Sequence, residues 1–195
     1  MRRVRNPDID DEQQETEDQT QQNLRKKLFE QPGHLIRRLH QISTAIFLRE
    51  SSKYDLTPLQ YVALAMIDTF PGIDQRQLGR GAALDRQTTS TVVRRLEEKG
   101  LVVRQQKDRR TTALFVTGAG RALHQLMASR LGVVGETLLS PLTPEEQKTF
   151  FYIMTKMVTE LNKLSRSPQG EVKVIPSEMR ALPARRQRKR RRQTA

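Results

Sequence analysis

Residues 74–117, DQRQLGRGAALDRQTTSTVVRRLEEKGLVVRQQKDRRTTALFVT, read as a short helix, a tight turn, a second helix and a two-stranded hairpin with a cationic tip. Asp74 caps the first helix, which is anchored by Leu78 and ends near Gly79 to Gly81. Asp85 is placed to cap the second, because its side-chain oxygen can accept from the open N–H groups of the first turn. Leu84, Thr88, Val92 and Leu96 fall on one stripe at helical spacing. The helix stops at Lys99-Gly100, where glycine suits the left-handed position that follows a helix.

The other face of the second helix carries Arg86, Gln87, Thr88, Thr89, Ser90, Thr91, Arg94 and Arg95. Short hydroxyls permit close approach to a backbone or base edge, and Arg and Gln match guanine and adenine edges. Leu101-Val102-Val103 and Ala113-Leu114-Phe115-Val116 are β-prone runs that bracket a tip containing Lys107, Asp108, Arg109 and Arg110. Asp108 and Arg110 are two apart, so an acid on one hairpin face can orient the guanidinium beside it. A cationic β-ribbon after a helix-turn-helix describes a winged helix, with the second helix entering a major groove and the wing a neighbouring minor groove. The expected fold is mainly α with a small β-hairpin wing, a winged helix-turn-helix flanked by dimerisation helices.

Residues 33 to 164 resemble the MarR family of bacterial winged-helix regulators. The resemblance rests on Leu56-Thr57-Pro58-Leu59-Gln60-Tyr61, Leu96-Glu97-Glu98-Lys99-Gly100-Leu101-Val102, Asp108-Arg109-Arg110 and Val116-Thr117-Gly118-Ala119-Gly120. The last departs slightly from the family's usual Leu-Thr-Glu-x-Gly ending. The resemblance implies a homodimer that binds a palindromic operator in double-stranded DNA as a repressor.

Outside this stretch the chain divides by composition. Residues 1–22 are acidic, Gln-rich and nearly devoid of apolar side chains, so disorder is expected. Residues 23–56 carry Leu28, Leu35, Ile36, Leu39, Ile42, Ile46 and Phe47 at three- and four-residue spacing, broken near Pro32, with residues 51–55 a loop. Residues 57–117 form the DNA-binding unit, opened by a Thr57-Pro58-x-Gln60 cap. Residues 118–165 hold a long helix capped by Thr117 and a last one opened by Thr143-Pro144-Glu145-Glu146. That last helix carries Phe150, Ile153, Met154, Met157, Val158, Leu161 and Leu164, with Phe151 and Tyr152 widening its apolar face. Apolar faces this wide on terminal helices suit either ordinary packing within one domain or, as the stronger reading, a partner that covers them. A two-fold pair built from the first and last helices would set recognition helices roughly 34 Å apart, on half-sites about 10 bp apart. Residues 166–195 read as a basic, disordered tail.

The formal net charge is +13. Arg180, Arg185, Arg186, Arg188, Lys189, Arg190, Arg191 and Arg192 supply much of it, yet the chain between the two termini is also basic. A polyanionic partner follows. The terminal cluster either adds phosphate contacts or is a solvated tail. There is no cysteine, which removes disulfides, thiol-based sensing and thiolate metal sites. His34, His40 and His124 lack metal-ligand spacing, so no metal or cofactor is expected. No nucleophile elbow or phosphate loop appears, so the chain is not read as an enzyme. No apolar run approaches membrane-spanning length and no leader is visible, making a cytoplasmic protein the expectation.

Chemistry outside the DNA-reading region concentrates on the first long helix. His34, Arg38 and Gln41 lie along one side, and Arg37, His40 and Thr44 along another. Either set can offer a cation and donors to an aromatic carboxylate, since Arg matches both carboxylate oxygens. The same residues would equally suit a solvated or ion-paired surface. Residues 33–47 are similar to regulators of aromatic-acid catabolism, nicotinic acid breakdown in particular, and that resemblance implies a hydroxynicotinate as effector. The competing function is a non-specific or architectural nucleic-acid-binding protein driven by the C-terminal cluster.

Overall fold

A computed structural model describes residues 19, 21, 24, 25, 27–106 and 111–172, and these divide between Ile46 and Phe47 into two compact units. Helix α1, Pro32–Ser51, starts in the first unit and gives its last turn to the second. Within the first unit Leu35, Ile36 and Ile42 are exposed, and the Phe29 ring lies 5.1 Å from the His34 ring. The segment 1–22, expected to be disordered, lies outside the described residues except for Gln19 and Gln21, which are helical.

The second unit continues with a 3₁₀ turn at Ser52–Tyr54, α2 (Pro58–Thr69), β1 (Ile73–Asp74), α3 (Gln75–Gly81), α4 (Arg86–Glu98), β2 (Val102–Gln106), β3 (Thr112–Val116), α5 (Gly118–Leu139), α6 (Pro144–Leu161) and a closing 3₁₀ turn at Asn162–Leu164. Residues 51–55 are therefore not plain loop. Ser51 ends α1, and its buried hydroxyl donates to the Leu56 carbonyl at 2.9 Å.

The helix starts follow local chemistry. Thr57 accepts from the Gln60 N–H while the Gln60 side chain accepts from the Thr57 N–H, and Pro58 occupies the first turn, where its missing N–H leaves nothing unpaired. Asp74, Asp85, Thr117 and Thr143 each accept from the N–H three residues on. Gly100 takes φ +68° after α4, a backbone conformation that a side chain resists.

The wing strands pair antiparallel with Val102 opposite Val116 and Gln106 opposite Thr112. The expected two-stranded hairpin is in fact a three-stranded sheet in the order β1-β3-β2, with Ile73 opposite Leu114. β1 has two residues, too few to show alternation in sequence. It makes β3 central, which is why Ala113, Leu114, Phe115 and Val116 are all buried. Around this sheet Ala63, Leu64, Ile67, Leu78, Val93, Leu96 and Met127 are essentially inaccessible to solvent and form the core. No described helix is long and apolar enough to cross a membrane.

The buried side of α4 consists of Thr89, Val92, Val93 and Leu96. Of the expected stripe, Val92 and Leu96 are buried, whereas Thr88 is half-buried and Thr89 takes the inward place, and Leu84 lies in the turn because the helix starts at Arg86. That turn is tight: Leu84 N–H donates to the Gly79 carbonyl at 2.8 Å, and Ala83 adopts φ 53°. At the crossing, a β-carbon on Gly79 would stand 2.8 Å from Thr89 Oγ1 and 3.1 Å from the Leu84 carbonyl. Of the tail expected from residue 166, residues 166–172 are described and lie against α3, where Gly170 N–H donates to the Arg80 carbonyl at 2.9 Å. Residues 173–195 lie outside the described residues.

Gly79→Ala is expected to destabilise the fold by about 1–3 kcal/mol through overpacking against the Thr89 hydroxyl and the Leu84 carbonyl. Gly118→Ala meets nothing within 4 Å, and alanine there should cost nothing or add up to ~1 kcal/mol through helix propensity. Urea unfolding of both variants measures this, and equal midpoints would show that the crossing is not tightly packed.

Candidate nucleic-acid interface

With Val92, Val93 and Leu96 buried, the rest of α4 is turned outward. Arg86, Gln87, Ser90, Thr91, Arg94 and Arg95 are exposed, as the sequence pattern requires of groups that contact a duplex. Arg95 pairs with Glu98 at 3.2 Å, whereas Arg86 and Arg94 have no ion-pair partner among the described residues. Two expected contact residues are placed differently. Thr89 is 2% exposed and its hydroxyl donates to the Asp85 carbonyl at 2.7 Å, so it packs against α3 and faces no ligand. It lies one turn after the N-cap, on the side that Gly79 approaches. Thr88 is half-buried, and its hydroxyl donates to Asp85 Oδ2 at 2.8 Å.

Asp85 thus receives two donors from one residue, the Thr88 N–H at 2.7 Å and the Thr88 hydroxyl. The backbone N–H and then the hydroxyl hold its carboxyl below the ordinary 3.8, with a small opposing push from desolvation. A carboxylate at a helix N-terminus is also favoured by the helix dipole.

Further cations beside α4 come from α3. Arg76 and Arg80, one turn apart, join Arg86 and Ser90 around a cleft of about 690 Å³ that Ser167 and Pro168 also line. Neither α3 arginine was singled out from sequence. Their i, i+4 spacing just ahead of the turn was the available signal, overshadowed by the denser run on α4. Arg104, on β2, is engaged structurally instead, with Glu97 at 2.8 Å and Gln75 at 3.4 Å. The wing-tip residues Lys107, Asp108, Arg109 and Arg110 lie outside the described residues. Only their flanking strands are seen, closed by the Gln106–Thr112 pair.

Lys99 anchors the C-terminal end of α4. Its ammonium bonds the Asp55 carbonyl, Asp55 Oδ2 at 2.9 Å and Gln60 Oε1 at 3.1 Å, tying α4 to the start of α2. Thr117 does similar work from the wing, donating to the Gly100 carbonyl at 2.8 Å while capping α5. A third cluster, not anticipated, joins α2 to α5: Asp68 accepts from His124 Nδ1 at 2.8 Å and from Arg121 at 3.2 Å. Desolvation alone would raise the Asp68 pKa, but hydrogen bonds and charge from His124 and Arg121 outweigh it and hold the carboxyl low. No group of three among His, Asp and Glu in the described residues could hold a metal.

The first unit contains the polar set expected to meet an effector. Arg38 donates to Gln41 at 3.3 Å on one side of α1. His34 and Thr44 are half-buried, while Arg37, Arg38, His40 and Gln41 are exposed.

A profile described as the MarR family matches residues 54–111. The transcriptional repressor NicR of Pseudomonas putida is 30% identical over 131 residues, 66% of this chain and 83% of that protein. The transcriptional regulator HosA of Escherichia coli is 32% identical over 140 residues, 69% and 97% of the respective chains. Among solved structures, BpsR of Bordetella bronchiseptica superposes with a TM-score of 0.64 at 28% identity, over 67% of this chain and 96% of that one. Its structure is described as a mechanism for regulation of DNA binding by 6-hydroxynicotinic acid.

The depressed Asp85 carboxyl gives a pH dependence of known sign. Its contribution is complete above the ordinary 3.8 and is lost as the pH falls through the lower folded value. Asp85→Asn keeps an acceptor for the Thr88 N–H but does not titrate there. The stability of wild type is expected to fall more steeply than that of Asp85→Asn below this range, as read by thermal melts across pH. Parallel curves would remove the charge from the cap.

Proposed function

The chain belongs to the MarR family and is a transcriptional repressor of that type, and we propose that it works as a homodimer released from a palindromic operator by a small aromatic acid. The observation that carries the DNA reading is the outward face of α4. Two guanidinia without an ion-pair partner among the described residues, an amide and two hydroxyls stand on a helix whose other side is locked into the core. Arg86 and Arg94 are the proposed readers of base edges, Gln87, Ser90 and Thr91 their neighbours, and Arg76 and Arg80 the phosphate clamps. Arg95, shared with Glu98, contributes less. The tip residues Lys107, Asp108, Arg109 and Arg110 complete the proposal as the minor-groove arm.

The dimer is supported by α6, which has no buried residue although Phe151, Tyr152, Val158 and Leu161 are at least half exposed. Apolar surface of this extent on a helix is normally covered by a partner. Leu35 and Ile36 on α1 present a second such face. A second copy covers both in our reading, and two-fold symmetry then matches a palindrome.

For the effector we propose a hydroxynicotinate, with Arg38 and Gln41 holding the carboxylate and His34, His40 and Thr44 supplying further donors. The support is the donor set on α1 together with the likeness to BpsR, whose DNA binding is described as regulated by 6-hydroxynicotinic acid. Release requires that the acid bind the DNA-free state more tightly, and linkage makes the operator weaken the acid equally.

A labelled palindrome selected from random DNA tests the set. Arg94→Ala and Arg86→Ala should each weaken binding by about 1–3 kcal/mol and relax base preference. Val158→Asp should convert a sedimenting dimer to monomer and weaken binding with it. Titrating 6-hydroxynicotinate and 4-hydroxybenzoate into the complex should release DNA for the first at lower concentration. A complex indifferent to both acids would sink the effector assignment and leave the DNA reading standing.

A further inference from the structure

The two flanks of α4 are chemically unlike. On the α3 flank, Arg76, Arg80 and Arg86 line the larger cleft, as groups that hold phosphate would. On the α2 flank lies a second cleft, of about 460 Å³, lined by Leu59, Asp85, Gln87, Thr88, Thr91 and Val92. Its lining contains no cation, and its one charge is the Asp85 carboxylate, kept ionised by the Thr88 N–H and hydroxyl. Such a group repels phosphate. The smaller cleft therefore suits a neutral part of a nucleic acid, which leaves the bases.

Leu59 gives this cleft its apolar wall. It stands one turn before the buried Ala63 on the same face of α2, and so carries that face past the end of the core. There it is 45% exposed, while Val92, from the buried stripe of α4, lines the same cleft. A single exposed leucine is ordinary on a protein surface. This one is held in position. Leu56 before it is buried, Thr57 and Gln60 close the capping box around it, and Gln60 Oε1 accepts from the Lys99 ammonium of α4's last turn at 3.1 Å. The end of α2 that carries Leu59 is thereby fixed against α4, whose Gln87 and Thr91 are exposed.

In the major groove a base pair shows donors, acceptors and one apolar group, the thymine 5-methyl. Across the same pair stand adenine N6 and N7, which a glutamine amide meets with two hydrogen bonds. Leu59 and Gln87, lining one cleft, are the matching side chains.

We propose that Leu59 receives a thymine methyl in this cleft while Gln87 bonds the adenine of that pair, so that α2 adds a base-reading side chain to the face formed by α4. The proposal rests on the DNA-binding reading above and names the base pair that this flank selects. Asp85 keeps the backbone out of the cleft, and the arginines across α4 hold it on the other side.

The test uses the full-length protein and the palindrome it selects from random DNA. Each thymine of a half-site, with its symmetry mate, is replaced in turn by deoxyuridine, which lacks only the 5-methyl and pairs unchanged. At one position wild type should lose about fourfold in affinity per methyl, the factor that burying one carbon implies. Leu59→Ala should bind the thymine duplex more weakly by a similar factor and should not distinguish it from the deoxyuridine duplex at that position. Leu59→Met, which keeps an apolar side chain of similar reach, should restore the distinction. Gln87→Ala should keep the methyl effect and lose the preference for A·T over guanine paired with 5-methylcytosine, which places a methyl at the same edge. Leu59 lies outside the core, so Leu59→Ala should melt close to wild type.

A Leu59→Ala variant that still distinguishes the two duplexes as wild type does would assign the methyl to another side chain and overturn the proposal. So would a wild type indifferent to deoxyuridine at every thymine, or a Gln87→Ala variant with the A·T preference intact. Each of these leaves the DNA reading standing. Failure of wild type to prefer any palindrome over a shuffled duplex would instead remove the DNA reading, and the role of Leu59 with it.

Discussion

Gly79 brings α3 close enough to α4 that a β-carbon there would press on the Thr89 hydroxyl and the Leu84 carbonyl. Thr89 can be buried at that point because its hydroxyl is already satisfied by the Asp85 carbonyl. The crossing sets the rotation of α4 about its own axis. With Thr89, Val92, Val93 and Leu96 turned inward, Arg86, Gln87, Ser90, Thr91 and Arg94 have only the outward side left to them. Arg76 and Arg80 are brought beside them by the same approach.

The remaining contacts hold this pair of helices in a frame. Lys99 binds the end of α4 to the start of α2, and Thr117 joins the end of the wing to the turn after α4. Asp68, held ionised by His124 and Arg121, links α2 to α5. Each is a polar contact at the edge of an apolar core, so each fixes direction more than it adds stability. Charged contacts of this partly exposed kind typically contribute on the order of 1 kcal/mol or less. The bulk of the stability comes from the buried side chains of α2, α4 and the sheet.

Two kinds of surface are left over, and they suit different partners. The α4 side is basic and hydroxyl-rich, suited to a polyanion. The α6 side is apolar and aromatic, suited to another apolar helix. Residues 165–172 run from the end of α6 to the end of α3, where Gly170 N–H donates to the Arg80 carbonyl and Gln169 N–H is held by Asn162 Oδ1.

Much of the architecture was legible in the sequence because the signals were local. Thr57-Pro58-x-Gln60, Asp74, Asp85, Thr117 and Thr143 each announce a helix start within three residues, and Gly100 a helix end. The basic outward face of α4 follows from spacing alone, and the order of helix, turn, helix and hairpin determined the winged fold and the family. Other features needed the tertiary structure. Thr88 and Thr89 are identical in type, and only the position of Gly79, ten residues away, decides which is buried. β1 exists because β3 offers it a free edge, and two residues carry no periodicity of their own. Lys99, Asp68 and His124 find partners 39 to 56 residues distant, and polar pairing at that range leaves no pattern along the chain. Residues 166–172 read as tail because their contacts are with the Arg80 and Gly81 carbonyls at the end of α3 and with Asn162, and nothing in their own composition records that such partners are waiting.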